Sequence, residues 1–163
     1  MDGTRFDGLR EKVYKDSILV SKDIIVELYS GFERVMKLVG GLLYRTSMKA
    51  GRSLARSVKE EGLVDKEDCV EAILETLVIS GYATKAEINR IEMEGNEVKT
   101  LEIKLEGSLL GSRLKGKGST VDSTIAGFVA GWLEEFFGTK YRAKEVKCIA
   151  RGDPFCLIEV RRE

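Results

Sequence analysis

The apolar residues of this chain change their spacing at about Ala86, and that change limits the fold more than any other feature of the sequence. Upstream they recur every three or four positions, the period of a helical face. From Lys22 to Val39 the set is Ile24, Ile25, Leu28, Phe32, Val35, Met36 and Val39. Ser21 stands as the N-cap, Gly31 as an interior break point and Gly40-Gly41 as the stop. A second helix, Leu42 to about Glu60, carries Leu43, Ala50, Leu54 and Val58 and ends before Gly62. Asp65 caps a third, with Asp68 three residues later as in a capping box, and Cys69, Val70, Ile73, Leu74, Leu77 and Val78 form its stripe up to Gly81. The period then drops to two. Ala86–Glu94 and Val98–Leu105 read as strands joined at Gly95-Asn96, a hairpin signal whose register sets Ile103 opposite Ile88. Helical spacing returns over Ser123–Phe137, and a last hairpin, Tyr141–Ala150 with Phe155–Arg161, turns around Arg151-Gly152-Asp153-Pro154. Glu106–Ser119 reads as a polar loop, and the first twenty residues as a short helix or an extended arm. The order predicts an α+β fold, an antiparallel four-stranded sheet of two hairpins under a layer of about four helices. No Pro-, Ser- or Gly-rich stretch divides the chain, so residues 1–163 are expected to form a single domain with 1–20 as its N-terminal arm.

Charge and absences narrow the chemistry. Twenty-seven Lys and Arg balance twenty-seven Asp and Glu, which argues against a nucleic-acid binder or a membrane-surface binder, since both need a basic excess. No window reaches the roughly 20 apolar residues of a membrane span, and the polar, acidic start is no secretory signal; a cytoplasmic protein is expected. The chain has no His, hence no imidazole base and no His-ligated metal. It has no Gln and only two Asn, Asn89 and Asn96, and 33% of its residues are charged, the pattern of a thermophile protein. Gly111 and Gly116-Lys117 imitate a phosphate-cradling loop, but Gly118 stands where that loop needs Ser or Thr, and the β-α-β setting is missing. The scattered arginines read as solvated ion-pair partners.

The terminal hairpin holds the densest chemistry. With its turn at Arg151-Gly152-Asp153, Cys148 falls directly across from Cys156 and Val146 across from Ile158. Cross-strand Cβ atoms lie roughly 4.5–5.5 Å apart, so the two thiols can chelate a metal, form a disulfide or pack as small apolar groups. Glu145, three residues before Cys148, and Asp122, just ahead of the Ser123–Phe137 helix, would complete four donors for a tetrahedral Zn²⁺, provided the strand bulges between Glu145 and Cys148. The alternatives stay open at this level: Asp122 reads equally as an N-cap, Glu145 as a solvated strand residue opposite Glu159.

The segment from Asp122 to Val160, with Gly127-x-x-x-Gly131, Glu145-Val-Lys-Cys148, Gly152 and Cys156-Leu-Ile-Glu-Val, resembles the C-terminal signature of the 4-vinyl reductase domain family. Gly41-Leu-Leu-Tyr44 through Gly51 resembles its helical half, so the likeness covers most of the chain beyond about residue 30. The resemblance implies a hydrocarbon- or small-molecule-binding domain with the fold of TRAPP vesicle-tethering subunits. It also implies a structural zinc, because aromatic-sensing members hold one with a Cys, a Glu and two further Cys; Glu145, Cys148 and Cys156 match in type and spacing, and Asp122 replaces the first Cys. Four protein donors would leave no open position for catalysis.

The expected function is therefore non-catalytic binding of a hydrophobic or aromatic ligand, in an apolar pocket between helices and sheet lined by Tyr44, Met48, Tyr82, Leu101, Phe128 and Trp132. The other readings are an accessory protein or reductase in tetrapyrrole vinyl reduction, and a TRAPP-like assembly scaffold. Against the reductase stand the missing dinucleotide fingerprint, the missing His and the lack of a Cys cluster for an iron–sulfur centre. With no output domain after Glu163, the protein is expected to act through a partner, as a carrier or as a homodimer built on the Lys22–Val39 and Leu42–Glu60 helices.

Overall fold

Alternating apolar residues make two antiparallel hairpins, and the hairpins merge into one sheet. A computed structural model describes residues 5–31 and 33–163, leaving out the side chains of 33, 34 and 36–40. Strands β1 (Lys85–Glu94) and β2 (Glu97–Glu106) pair as the first hairpin, β3 (Tyr141–Lys147) and β4 (Cys156–Arg162) as the second, in the order β1-β2-β4-β3. Ile88 faces Ile103 as the spacing requires, and β2 meets β4 with Ile103 opposite Ile158 and Leu101 opposite Val160. Val98, Leu101, Ile103 and Leu105 on β2, with Ile158 and Val160 on β4, have no solvent exposure and form one apolar face.

Helix α6 (Ser123–Phe137) lies on that face and is apolar on nearly every side, as a helix covered from two directions must be. Its other cover is α3 (Glu33–Glu60). Three glycines let the two backbones touch. A Cβ on Gly127 would lie 2.3 Å from the Tyr44 carbonyl oxygen, one on Gly131 1.9 Å from that of Met48, and one on Gly51 2.1 Å from that of Phe128. Helix α4 (Cys69–Ile79) packs beside α6, and α1 (Asp7–Lys15) packs on α4 through the buried Leu9 and Val13. Helix α2 (Lys22–Gly31) and the short α5 (Leu109–Arg113) complete the helical side.

Several boundaries differ from the sequence reading. The first long helical run divides after Gly31, and α3 passes straight through Gly40-Gly41, because its contacts with α6 outweigh the roughly 1 kcal/mol that an interior glycine costs. Phe32 lies outside the described residues, as do the side chains of Met36 and Val39. Helix α4 begins at Cys69 with Asp68 at its cap and no side-chain cap bond, while Asp65 belongs to the preceding turn. The loop after β2 contains α5, started by Ser108, whose hydroxyl accepts the Gly111 N–H. In the last hairpin Glu145, not Val146, pairs with Ile158; Val146 is the extra residue of a bulge, and a 3₁₀ turn over Ile149–Arg151 replaces the end of the expected strand. Glu159 accordingly pairs with Lys144 rather than with Glu145.

Candidate functional site

The bulge at Val146 decides the chemistry of the terminal hairpin. In a regular strand Glu145 and Cys148 would face opposite ways; the extra residue turns them to one side. A carboxylate oxygen of Glu145 and the Sγ atoms of Cys148 and Cys156 lie within 4.8 Å of one another. Cys148 and Cys156 are fully buried and neither is in a disulfide. The Cys156 sulfur accepts the Ile149 N–H at 3.3 Å. It also abuts Gly111, where a Cβ would stand 2.8 Å from it, so α5 presses its backbone against the thiol.

Asp122 stands beside this group, fully buried at the N-terminus of α6. It makes no side-chain cap bond, contrary to the N-cap reading. Its Oδ2 accepts instead from the Ser108 hydroxyl at 2.6 Å. Glu145 Oε2 accepts the N–H groups of Val121 and Asp122, each at 2.8 Å, so one carboxylate supplies the cap that Asp122 does not. The remaining oxygens, Asp122 Oδ1 and Glu145 Oε1, are buried with no hydrogen-bond partner.

Burial and the neighbouring Glu145 push the Asp122 carboxyl up to about 7, and burial with hydrogen bonding to Cys148 pushes Glu145 up to about 7. Between the thiols, the hydrogen bond from Cys156 lowers Cys148 to about 6, and donating that bond raises Cys156. The cluster is thus two acidic oxygens and two sulfurs confined in a dry space. Such a set suits a borderline-soft divalent cation, above all Zn²⁺, and two orphaned buried oxygens are what such an ion would satisfy. The donor residues fit the metal.

The residues assigned to ligand binding are not gathered in one place. Tyr82 and Phe128 line an apolar groove of about 780 Å³ within the helical side, with Val13, Leu54, Ile79 and Leu109 deeper in and Ile18, Leu19, Val20 and Ile25 at its rim. Tyr44 borders a different hollow of about 480 Å³ beside Arg142 and Arg161, where its hydroxyl accepts the Ala143 N–H from the edge of β3. Met48 is half-buried on α3. Leu101 sits in the sheet core, and Trp132 is fully buried with its indole N–H donated to the Cys69 carbonyl at 2.8 Å. The sequence reading missed the groove's outer wall. The signal was there: Ile18-Leu19-Val20 are consecutive apolar residues with no helical partner positions. It also missed Ser108, announced only by a hydroxyl ahead of Leu109-Leu110.

Comparison with known proteins gives the fold an independent footing. Residues 101–162 match the family model of the vinyl-4-reductase domain. An uncharacterized protein of Methanocaldococcus jannaschii is 28% identical over 69% of this chain and 61% of its own length, and a second from the same organism is 40% identical over 28% of each. The matched region thus spans less than two thirds of either relative. Among solved structures, the phenol-responsive sensory domain of the transcription activator PoxR with phenol superposes with a TM-score of 0.77 at 18% identity, over 90% of this chain and 76% of that one. A vinyl-4-reductase family protein from Methanocaldococcus jannaschii gives 0.62 at 20% identity over 100% and 98%. A trafficking protein particle complex subunit 3 from Naegleria fowleri, covalently bound to palmitic acid, gives 0.59 at 14% over 87% and 95%. These likenesses establish the TRAPP-subunit-like α+β fold.

Proposed function

Taking residues 101–162 as a vinyl-4-reductase domain, we propose that this protein binds a hydrophobic or aromatic small molecule and carries a structural zinc. The observation that carries the reading is the groove: its walls are apolar side chains from α1, α3, α4 and α6, with few polar groups among them, the usual make-up of a small-molecule site. Tyr82 supplies a phenolic hydroxyl there, which burial keeps protonated well above its ordinary range and so available as a donor to a polar ligand head. The phenol bound by the PoxR sensory domain, a protein of the same fold, supports the same class of ligand.

Asp122, Glu145, Cys148 and Cys156 would hold the zinc. When bound, the ion supplies charge compensation and a cross-link, with no open position for chemistry. The chain's own residues make that cross-link useful: Asp122 starts α6, Glu145 and Cys148 end β3, and Cys156 begins β4, so the four donors tie the central helix to the terminal hairpin. Phe128 lies on α6, five residues after its first residue, and the pinned helix therefore sets one wall of the groove. We further read the chain as a single domain of a cytoplasmic thermophile protein whose partner is a second copy of itself.

Solvent extraction and mass spectrometry of the purified protein test this reading, together with thermal shifts across phenols and fatty acids. A co-purified apolar molecule, or a shift abolished by Phe128→Ala or by filling the groove with Leu54→Trp, is expected. No extractable ligand and no shift with any of them would refute it.

A further inference from the structure

Helix α2 presents a physical problem. It has ten residues, fewer than the roughly 12–15 an isolated helix needs in water, and none of its residues is buried. Ile24, Ile25 and Leu28, which should be its packing face, are exposed. It is tied down at its margins, by Asp23 to Arg113 at 3.0 Å and by the Tyr29 hydroxyl, donated to the Val121 carbonyl at 2.9 Å. The exposed face continues through the rim of the groove, which Tyr14, Ile18, Leu19, Val20 and Ile25 all line; Ile18 is 86% and Leu19 105% exposed. These seven residues together offer roughly 800 Å² of surface, the share one partner contributes to a standard interface and more than the roughly 300–600 Å² patch of an ordinary monomer.

The charges on α2 select the occupant. Lys22 and Glu27 are both exposed, and neither makes an ion pair among the described residues. They flank Ile24-Ile25 symmetrically. A second α2 laid antiparallel about a two-fold axis midway between Ile24 and Ile25 would set Lys22 of each chain beside Glu27 of the other, with Ile24, Ile25 and Leu28 in the seam. An anionic lipid surface would call for a basic face, which this is not. We propose that two copies of this chain pair through α2 in this antiparallel arrangement, and that the second copy closes the outer side of the apolar groove. The closure follows from the shared residues: Ile18, Leu19, Val20 and Ile25 belong both to the groove rim and to the exposed face. Its functional meaning rests on the groove being the ligand site; the pairing itself does not. Where both hold, ligand and dimerisation strengthen each other reciprocally.

The test is charge reversal. Sedimentation equilibrium from about 1 to about 100 μM should show a dimer for the wild type. Lys22→Glu and Glu27→Lys should each raise the dimer Kd at least about tenfold, and the double reversal should restore it to within about threefold. An equimolar mixture of the two single variants should form the mixed dimer. Both positions are exposed, so far-UV circular dichroism should confirm folded variants. Leu19→Cys reads the closure: its thiol should react at least about tenfold more slowly with Ellman's reagent in the dimer than in the Lys22→Glu background. A monomeric wild type, whether or not it floats with phosphatidylglycerol vesicles, would overturn the proposal. So would single reversals without effect, an unrestored double variant, or equal Leu19→Cys rates. None of these measurements uses a ligand, so failure of the pairing and failure of the ligand reading are separately visible.

Discussion

Gly131→Ala asks whether the close crossing of α3 and α6 holds this fold together. The added Cβ would stand 1.9 Å from the Met48 carbonyl oxygen, where ordinary contact begins near 3.4 Å. The obstacle is backbone, so no side-chain rotation relieves it, and the helices must part locally by about 1.5 Å. Overpacking of this kind costs about 1–3 kcal/mol, and a rigid obstacle puts it at the upper end, about 3. Alanine returns about 1 kcal/mol through its better helix propensity. The net loss is therefore about 2 kcal/mol, seen as a lower urea midpoint with unchanged m, or as a Tm lower by about 4–8 °C for a chain of this size. The sign is the decisive part. A helical glycine in open space gains stability on mutation to alanine, so an unchanged or raised midpoint would refute the close crossing. The parting should also disturb the groove, to which α3 contributes Leu54 and α6 contributes Phe128.

Other outcomes follow from particular contacts. Arg52 on α3 donates through Nε to Glu134 Oε2 at 2.7 Å, and Glu134, 9% exposed, also accepts the Tyr141 N–H at 3.1 Å; Arg52→Ala should cost about 1–3 kcal/mol in urea denaturation by leaving that carboxylate under-compensated, and Arg52→Lys less. In chelator-treated protein Asp122 and Glu145 both hold their protons up to about 7, above the roughly 4 of an unfolded carboxyl. Their contribution is thus full below about pH 4 and lost as pH rises through about 7, so Tm should be lower at pH 8 than at pH 5. Zinc, which needs the deprotonated donors, should reverse that slope, and a chelated protein more stable at pH 8 would contradict the assignment. Burial pushes the Cys69 thiol up to about 12, so it should resist maleimide at pH 8 until the chain unfolds; mass spectrometry showing rapid native labelling there would contradict its place under α6.

What could be read from the sequence follows the range of the forces involved. Ser123–Phe137 is found at its boundaries because apolar periodicity and the αL glycine at Gly138 are both local signals. The β1–β2 register is legible because Ile88 and Ile103 must share the buried face. The division after Gly31 and the passage of α3 through Gly40-Gly41 are not, since they depend on a crossing with residues far along the chain. In the terminal hairpin the donor types and their convergence were legible from spacing, with the bulge a stated requirement; its position at Val146 was not, because it is fixed by Cys148, Glu145 and the Ile149–Arg151 turn together. The ligand residues fared differently. Trp132 and Leu101 share the apolar character of a pocket wall, and only three-dimensional packing separates a wall from a core. Ile18, Leu19 and Val20 follow no helical or strand period, and their place at the groove rim depends on where α1 docks.

The account stands most directly on the metal pin. Native mass spectrometry of protein purified without added metal or chelator, paired with a thiol count by alkylation, measures it. Stoichiometric zinc should be found, with Cys148 and Cys156 protected until the ion is stripped and the same ion lost from Cys148→Ser and Cys156→Ser. Protein that carries no metal, takes up none when zinc is supplied, and exposes Cys148 and Cys156 equally with and without chelator would contradict it.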